Sequence, residues 1–383
     1  MAARANLAFL GQEDLVLSGT PEVTYFVEKY TAQTPFASRV DVVQFDNDSV
    51  NFGDESSATL PRSGDLITEL YFKINFPQDV ASVLDSVGTL MFHYVELYIG
   101  SQLVERLYGE YIEMKFDLEV PKGKQGTLDR LIGKRLASPY VYTPYTTYTI
   151  PIPFSILNKG IPICAIDEPI LFRAVLNPST TFTYPSTVIS QKLDAYLHVE
   201  YTYLSEPELN YIKSRPRLAL LEQVQRAEFF APQGQNNVNC FLNFVNPVKE
   251  LFFVIQNDSA LGYDYSTTAN GTTDQLNNMT LLFNSTDRIS TDVGSPLFLR
   301  ILQSLEFHTR VPDRLFYMYS FSIDPQSETP VGSVNLSRIN NQILQLNLNT
   351  SSANRYIRIY AVNYNFLLVD KGQADVLFPN SGN

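Results

Sequence analysis

The chain has 383 residues, a formal net charge of −12 and 13% aromatic residues, with 22 prolines, 18 glycines and only two cysteines. The length exceeds what one hydrophobic core usually serves, so two domains are expected, and the aromatic, Pro- and Gly-punctuated composition favours many short strands over long helices. The acidic balance excludes a surface built to neutralise phosphates, so no direct nucleic-acid contact is expected, and two cysteines exclude a disulfide framework or a four-thiolate zinc site.

From the N-terminus, "MAARANLAFLGQEDLVLSG" reaches Gln12, Glu13 and Asp14 before an apolar signal core could form, so no secretory signal is expected. No run approaches a membrane span; "LFFVI" (Leu251–Ile255) is among the longest. A reducing, intracellular setting follows, with Cys164 and Cys240 as small buried residues. The polar stretch Asp46–Arg62 reads as an exposed loop. In "LITELYFKINF", Leu66, Thr68, Leu70, Phe72, Ile74 and Phe76 share one face of a strand. His93, Val95, Leu97 and Ile99 form another, leading into a hairpin turn at Gly100-Ser101. Helices are expected over Gly109–Val120, Thr127–Leu136 and Glu206–Ser214, the last with Ser205 as N-cap and Glu208 completing a capping box. The basic cluster Lys122–Arg135, interleaved with Asp129, reads as a solvated helix face. Asp258–Asn278, dense in Thr, Asn and Gly, reads as a surface loop. In Val331–Asn349, Leu344, Leu346 and Leu348 alternate with Gln345, Asn347 and Asn349, the period of a strand with one buried and one wet face.

The two halves echo one another in order. "TELYFKI" (Thr68–Ile74) is answered by "KELFFVI" (Lys249–Ile255), and "VELYIGS" (Val95–Ser101) by "MTLLFNS" (Met279–Ser285). "PFSI" (Pro153–Ile156) is answered by "SFSI" (Ser320–Ile323), and "YLHVEYTYL" (Tyr196–Leu204) by "YIRIYAVNY" (Tyr356–Tyr364). The expected architecture is all-β: two tandem eight-stranded antiparallel jelly-roll sandwiches with a few short helices. The expected division is an N-terminal arm over 1–21, a first roll over 22–205, a linker helix over 206–217, a second roll over 218–370 and a C-terminal tail over 371–383.

Candidate chemistry is sparse. His93, His198 and His308 are isolated in sequence. His198 and Glu200 share one face of a strand and could begin a metal site, but the further histidines of a cupin-like pattern are missing. His308 lies by Thr309, Arg310 and Asp313, where a hydrogen-bonded turn is expected rather than a catalytic base. No phosphate-cradling GxxxxGK[ST] or GxGxxG motif appears. Asn-x-Ser/Thr occurs at Asn47, Asn257, Asn270, Asn278, Asn284, Asn335 and Asn349, as the Asn- and Thr-rich composition alone would produce. No catalytic, cofactor-binding or metal-ligating residue is therefore assigned.

The second half carries long, specific motifs: "LNFVNPVKELFFVIQ" (Leu242–Gln256), "LEFHTRVPDRLFYMYSFSIDPQSETPVGSVNLSRINNQILQLNL" (Leu305–Leu348) and "IRIYAVNYNFLLVDKG" (Ile357–Gly372). The first half adds "VTYFVEKYTAQTPFA" (Val23–Ala37), "GDLITELYFKINFP" (Gly64–Pro77), "VELYIGSQLVERLYGEYIE" (Val95–Glu113) and "IPIPF" (Ile150–Phe154). Across nearly its whole length the chain resembles the double jelly-roll major capsid proteins of nucleocytoplasmic large DNA viruses, such as iridoviruses and phycodnaviruses. The resemblance implies a structural, non-enzymatic subunit made and assembled inside the host cell, with two upright sandwiches per chain. It also implies a homotrimer of pseudo-hexagonal outline that tiles an icosahedral virion capsid beside neighbouring capsomers and minor capsid or penton proteins. The chain is shorter than many members, so reduced surface insertions are expected, with Asp258–Asn278 as the remaining candidate. The rival reading is a tandem carbohydrate-binding jelly-roll module, suggested by the plentiful tyrosines.

Overall fold

The computed structural model describes residues 11–20, 32–46, 50–136, 141–265 and 274–378. It forms two compact units, 1–35 and 36–383. In the first, helix α1 (Gln12–Ser18) begins where the Gly11 N–H donates to the Asp14 carboxylate at 2.9 Å.

The larger unit opens with strands β1 (Phe36–Gln44), β2 (Glu55–Leu60), β3 (Leu66–Asn75), β4 (Val83–Leu84), β5 (Phe92–Ile99), β6 (Gln102–Tyr108), β7 (Val141–Tyr142), β8 (Thr147–Pro151), β9 (Ile170–Leu176) and β10 (Asp194–Leu204). Two four-stranded sheets result, ordered β1-β10-β3-β8 and β2-β9-β5-β6. After helix α5 (Glu206–Lys213) come β11 (Arg217–Ala231), β12 (Asn237–Leu242), β13 (Pro247–Asn257), β14 (Leu276–Phe283), β15 (Thr286–Ile289), β16 (Tyr317–Ser320), β17 (Val334–Asn335), β18 (Gln342–Leu348), β19 (Arg355–Asp370) and β20 (Gln373–Val376). Their sheets run β11-β19-β13-β16, with β17 and β20 added, and β12-β18-β14-β15. The strand order is the same twice: two antiparallel eight-stranded jelly rolls.

The repeat extends to its irregularities. A bulge in β3 falls between Glu69, opposite Glu200, and Ile67, opposite Tyr201; one in β13 falls between Glu250, opposite Val362, and Val248, opposite Asn363. The β5/β6 and β14/β15 hairpins slip at Leu97/Tyr98 and Leu281/Leu282, and β5 and β14 slip again at Phe92/Tyr94 and Leu276/Asn278. Bulges are positioned features of a fold, so three shared positions mark true structural counterparts. Thr68–Ile74 and Lys249–Ile255 are thus the same strand, as are Val95–Ile99 and Met279–Phe283. The β10/β19 echo holds in strand but not in residue: the counterpart of Glu200 is Val362, two residues beyond the sequence match. A slip of two preserves the face, which is why the two segments look aligned in sequence.

The bulges also explain where alternation misleads. Ile67 rather than Thr68 enters the core beside Leu70, Phe72, Ile74 and Phe76, and Phe92 rather than His93 joins Val95, Leu97 and Ile99. The hairpin at Gly100-Ser101 forms, with Gly100 at φ +59°. Leu344, Leu346 and Leu348 are buried as their period predicts. Asp46–Arg62 is a correction, because it contains β2, with Ser56, Ala58 and Leu60 buried. Its alternation is written in small residues and carries little hydropathy signal.

Helix α2 is a single turn (Val87–Leu90), followed by α3 (Gly109–Glu119) and α4 (Lys122–Ile132). Thus α4 begins five residues before the expected Thr127. Ser205 stands at the N-cap of α5 but makes no side-chain cap bond, and Pro207 removes one of the N–H donors such a cap would satisfy. In the segment expected to be a tail, β20 pairs with β19.

Strand β13 is buried over Val248–Ile255 because both its faces are covered. Leu251, Phe253 and Ile255 enter the second roll's core, while Phe252 and Val254 join the core continuous with the first roll. The apolar run "LFFVI" therefore lies in the strand shared by both cores.

Candidate functional site

Where the two rolls meet, α3 of the first lies against the outer face of the β11-β19-β13-β16 sheet. Tyr111 packs on Phe252 and Tyr360, with ring centroids 6.0 and 6.4 Å apart. Glu110, Glu113 and Asp117, spaced three and four apart, share one face of α3. Arg358 on β19 grips Glu110 through two 2.7 Å bonds, and the Tyr265 hydroxyl donates to the same carboxylate at 2.7 Å. Arg314 donates to Asp85 at 2.7 Å and to Glu113 at 3.3 Å, and its backbone N–H donates to Asp117 at 2.8 Å. Lys134 reaches Asp117 at 2.8 Å and Glu113 at 3.4 Å. Arg310 donates to both Asp117 and Asp313. Further along, Lys249 donates to Glu222, and the Glu222 N–H donates to Ser155 Oγ at 2.8 Å.

Glu110, Glu113 and Glu250 stay ionised against their burial. Desolvation opposes the charge on Glu110, but Arg358 and the Tyr360 and Tyr265 hydroxyls outweigh it and hold the carboxyl below its ordinary value. Lys134 and Arg314 do the same for buried Glu113, and His308 for buried Glu250, whose carboxylate lies 2.7 Å from His308 Nε2. Each group with a lowered pKa contributes stability that is present above its unfolded value and lost as pH falls through the folded one.

Glu105 on β6 is the opposite case. Burial pushes its carboxyl up to about 8, although the Ser155 N–H donates to it at 2.9 Å and the Ser155 hydroxyl at 3.0 Å. Between about pH 4.5 and 8 the folded chain holds a proton that the unfolded chain releases, so this group's contribution falls as pH rises. Glu105→Gln is expected to flatten the decline in stability across that window. Urea unfolding midpoints of both proteins at about pH 5 and pH 8 measure it; an equal pH slope in the two would refute the burial argument.

The candidates singled out in the sequence disperse. His198 and Glu200 lie side by side on the outer face of β10, away from His93 on β5 and His308 at the seam. His308, expected in a local turn, instead bonds Glu250 across the fold, and Thr309 bonds Gln326. Cys240 is buried and Cys164 partly exposed; both are free thiols. Among the described residues, no group of three or more His, Cys, Asp or Glu is arranged to hold a metal ion. No described helix is long and apolar enough to cross a membrane.

Two expectations are corrected here. Lys134 is buried in the seam, so only part of the Lys122–Arg135 cluster is solvated. Asp258–Asn278 is anchored rather than free at its start: Tyr263 and Tyr265 are buried, with Tyr265 on Glu110 and the Arg314 guanidinium over the Tyr263 ring. The middle of that loop, 266–273, lies outside the described residues.

The seam also explains the long motif around His308. "HTRVPDR" supplies Arg310 and Arg314, which reach Asp117 and Glu113 of the first roll, and His308, which bonds Glu250 within the second. What the arrangement does is mechanical: among the described residues it fixes two sandwiches as one body, with no nucleophile or open acid–base pair at its centre.

Comparison with known proteins agrees. Residues 208–375 match the family described as large eukaryotic DNA virus major capsid protein, and residues 24–204 match the family described as major capsid protein N-terminus. The chain is 26% identical to the major capsid protein of Pyramimonas orientalis virus over 98% of both proteins. It is 25% identical to that of Paramecium bursaria Chlorella virus 1, over 98% of this chain and 99% of the other. The latter alignment spans 445 positions, so that relative carries insertions this 383-residue chain lacks. Among solved structures, the PBCV-1 virus capsid superposes with a TM-score of 0.82 at 21% identity, covering 93% of this chain and all of the other. The Faustovirus major capsid protein gives 0.74 at 11% identity, covering 96% of each chain.

Proposed function

The chain belongs to the large eukaryotic DNA virus major capsid protein family and is a structural component of the virion capsid, and from that premise we propose that its working form is a homotrimer. The observation that carries this reading is the doubled roll. Two lobes of one architecture, locked side by side in each subunit, give six near-equivalent lobes when three copies close into a ring. Such a ring tiles a hexagonal lattice with a single gene product. Neighbouring capsomers, and minor capsid or penton proteins at facet edges and vertices, are its partners, and assembly takes place inside the host cell.

Within the subunit we assign residues 22–205 and 218–370 to the two rolls, the second extended by β20 (Gln373–Val376) on β19, 206–217 to the linker, 1–21 to the flanking arm and the rest of 371–383 to the tail. The family-matched segments 24–204 and 208–375 support that division.

A trimer carries three times the formal −12 of the chain, which opposes close approach of capsomers at low ionic strength. Sheet formation by purified trimers is therefore expected to rise with salt while the trimer persists. Negative-stain microscopy across a salt series tests this: six-lobed hexagonal particles that associate as salt increases are expected. Two-lobed particles throughout would contradict it.

A further inference from the structure

Beside Glu110 the two rolls leave an open cleft of about 210 Å³ between them, roomy enough for a polyatomic ion with several waters. His93 and Thr181 of the first roll and Arg226 and Arg358 of the second line it, with Glu110 as its one carboxylate. Two guanidinium groups against one acid run counter to the balance of a chain whose formal charge is −12.

The hydrogen bonds around the cleft leave donors over and no acid. Glu110 takes two bonds from Arg358 and one each from the Tyr265 and Tyr360 hydroxyls, which fill the roughly four lone-pair positions of a carboxylate. It has nothing left for a cation. Arg358 commits Nε and Nη2 to Glu110 and Gln256, and its Nη1 has no protein partner among the described residues. Arg226 lies over the Tyr108 ring at 5.3 Å and gives Nη2 to Glu228 at 2.5 Å. Its Nη1 also has no partner among the described residues, and its Nε is buried without one. Orphaned donors of this kind call for a water or an ion. Positive charge also prevails at His93, where burial and the Arg226 and Arg106 guanidiniums outweigh Glu228 and hold the imidazole below its ordinary value.

We propose that this cleft binds a tetrahedral oxyanion, a phosphate or sulfate group, with Arg226 and Arg358 of the second roll and His93 and Thr181 of the first as its donors. Guanidinium groups suit such a ligand because their planar N–H forks match oxyanion geometry. The donors come from both rolls, so the bound anion ties one roll to the other and stabilises the subunit increasingly as its concentration exceeds its dissociation constant. The site lies within one subunit, so it goes beyond the homotrimer reading and does not depend on it.

Isothermal titration of the purified full-length protein, in a phosphate-free chloride buffer at fixed ionic strength, tests this with inorganic phosphate, sulfate and a hexose phosphate as probes. Phosphate, with sulfate following it, is expected to bind saturably at one site per chain and to raise the melting temperature, which the same increment of chloride does not. Hexose phosphate binding at least as tightly as inorganic phosphate assigns the site to a phosphoryl group carried on a larger molecule; its exclusion assigns the site to the free ion. Either result supports the proposal. Arg226→Gln is expected to weaken phosphate binding at least about tenfold, because hydrogen bonds to charged groups are worth one such factor or more. His93→Ala and Thr181→Ala, both at exposed positions, should weaken it by about two- to threefold without disturbing the fold, with melts in the absence of phosphate as the control. A parent protein that shows no saturable binding would overturn the proposal. So would Arg226→Gln or His93→Ala binding phosphate as tightly as the parent, since the anion would then sit elsewhere.

Discussion

Replacing Arg314 with leucine is expected to destabilise the subunit by about 3–5 kcal/mol, the usual penalty for stranding buried charges by removing one partner. Arg314 is the hub of the seam, donating to Asp85, Glu113 and Ser86 from a nearly solvent-free position. Its loss leaves Lys134 as the remaining charged neighbour of Glu113, and leaves Asp85 with only backbone donors. The double variant Arg314→Leu with Glu113→Gln should cost less than the sum of its parts, since one stranded charge goes with the other. A double-mutant cycle by urea denaturation measures the coupling, and strict additivity would show that the network does not act as a unit.

Truncating Phe253 to alanine should cost a similar ~3–5 kcal/mol, but in a different place. Phe253 stacks on Tyr317 at 4.8 Å in the second roll's own core, whereas Phe252, its neighbour, points the other way to Tyr111 and Phe316 at the seam. Hydrogen exchange separates the two. Phe253→Ala should accelerate exchange in β14 and β18, and Phe252→Ala in α3. Indistinguishable exchange patterns would contradict the view of β13 as a strand shared between two cores.

Much of this organisation could be read in the residues. Alternation in Leu70–Phe76 and in Leu344–Leu348 located buried faces because each apolar residue there is large. The echo of "TELYFKI" in "KELFFVI" located the same strand in both rolls. Strand β2 escaped because Ser56 and Ala58 bury little apolar area, and the bulges at Thr68 and His93 escaped because a backbone irregularity leaves no hydropathy trace. The seam was only partly visible. Acids at Glu110, Glu113 and Asp117 recur at helical spacing on a helix that also carries Tyr111, Ile112, Met114, Phe116 and Leu118, a pattern that signals a buried charged face. Their partners Arg314 and Arg358 lie about 200 and 250 residues away in sequence, and only tertiary structure brings them together. Tyr263 and Tyr265 were hidden for a related reason: two aromatics among Asp, Gly and Thr look like loop until each ring is placed against the other roll.

The mass of the purified protein in solution tests the account most directly. Sedimentation equilibrium at micromolar concentration and moderate salt should return a single species of three times the 43.3 kDa chain mass, stable to roughly tenfold dilution, as an obligate ring with apolar seams requires. A monodisperse species of one chain mass under the same conditions would contradict it.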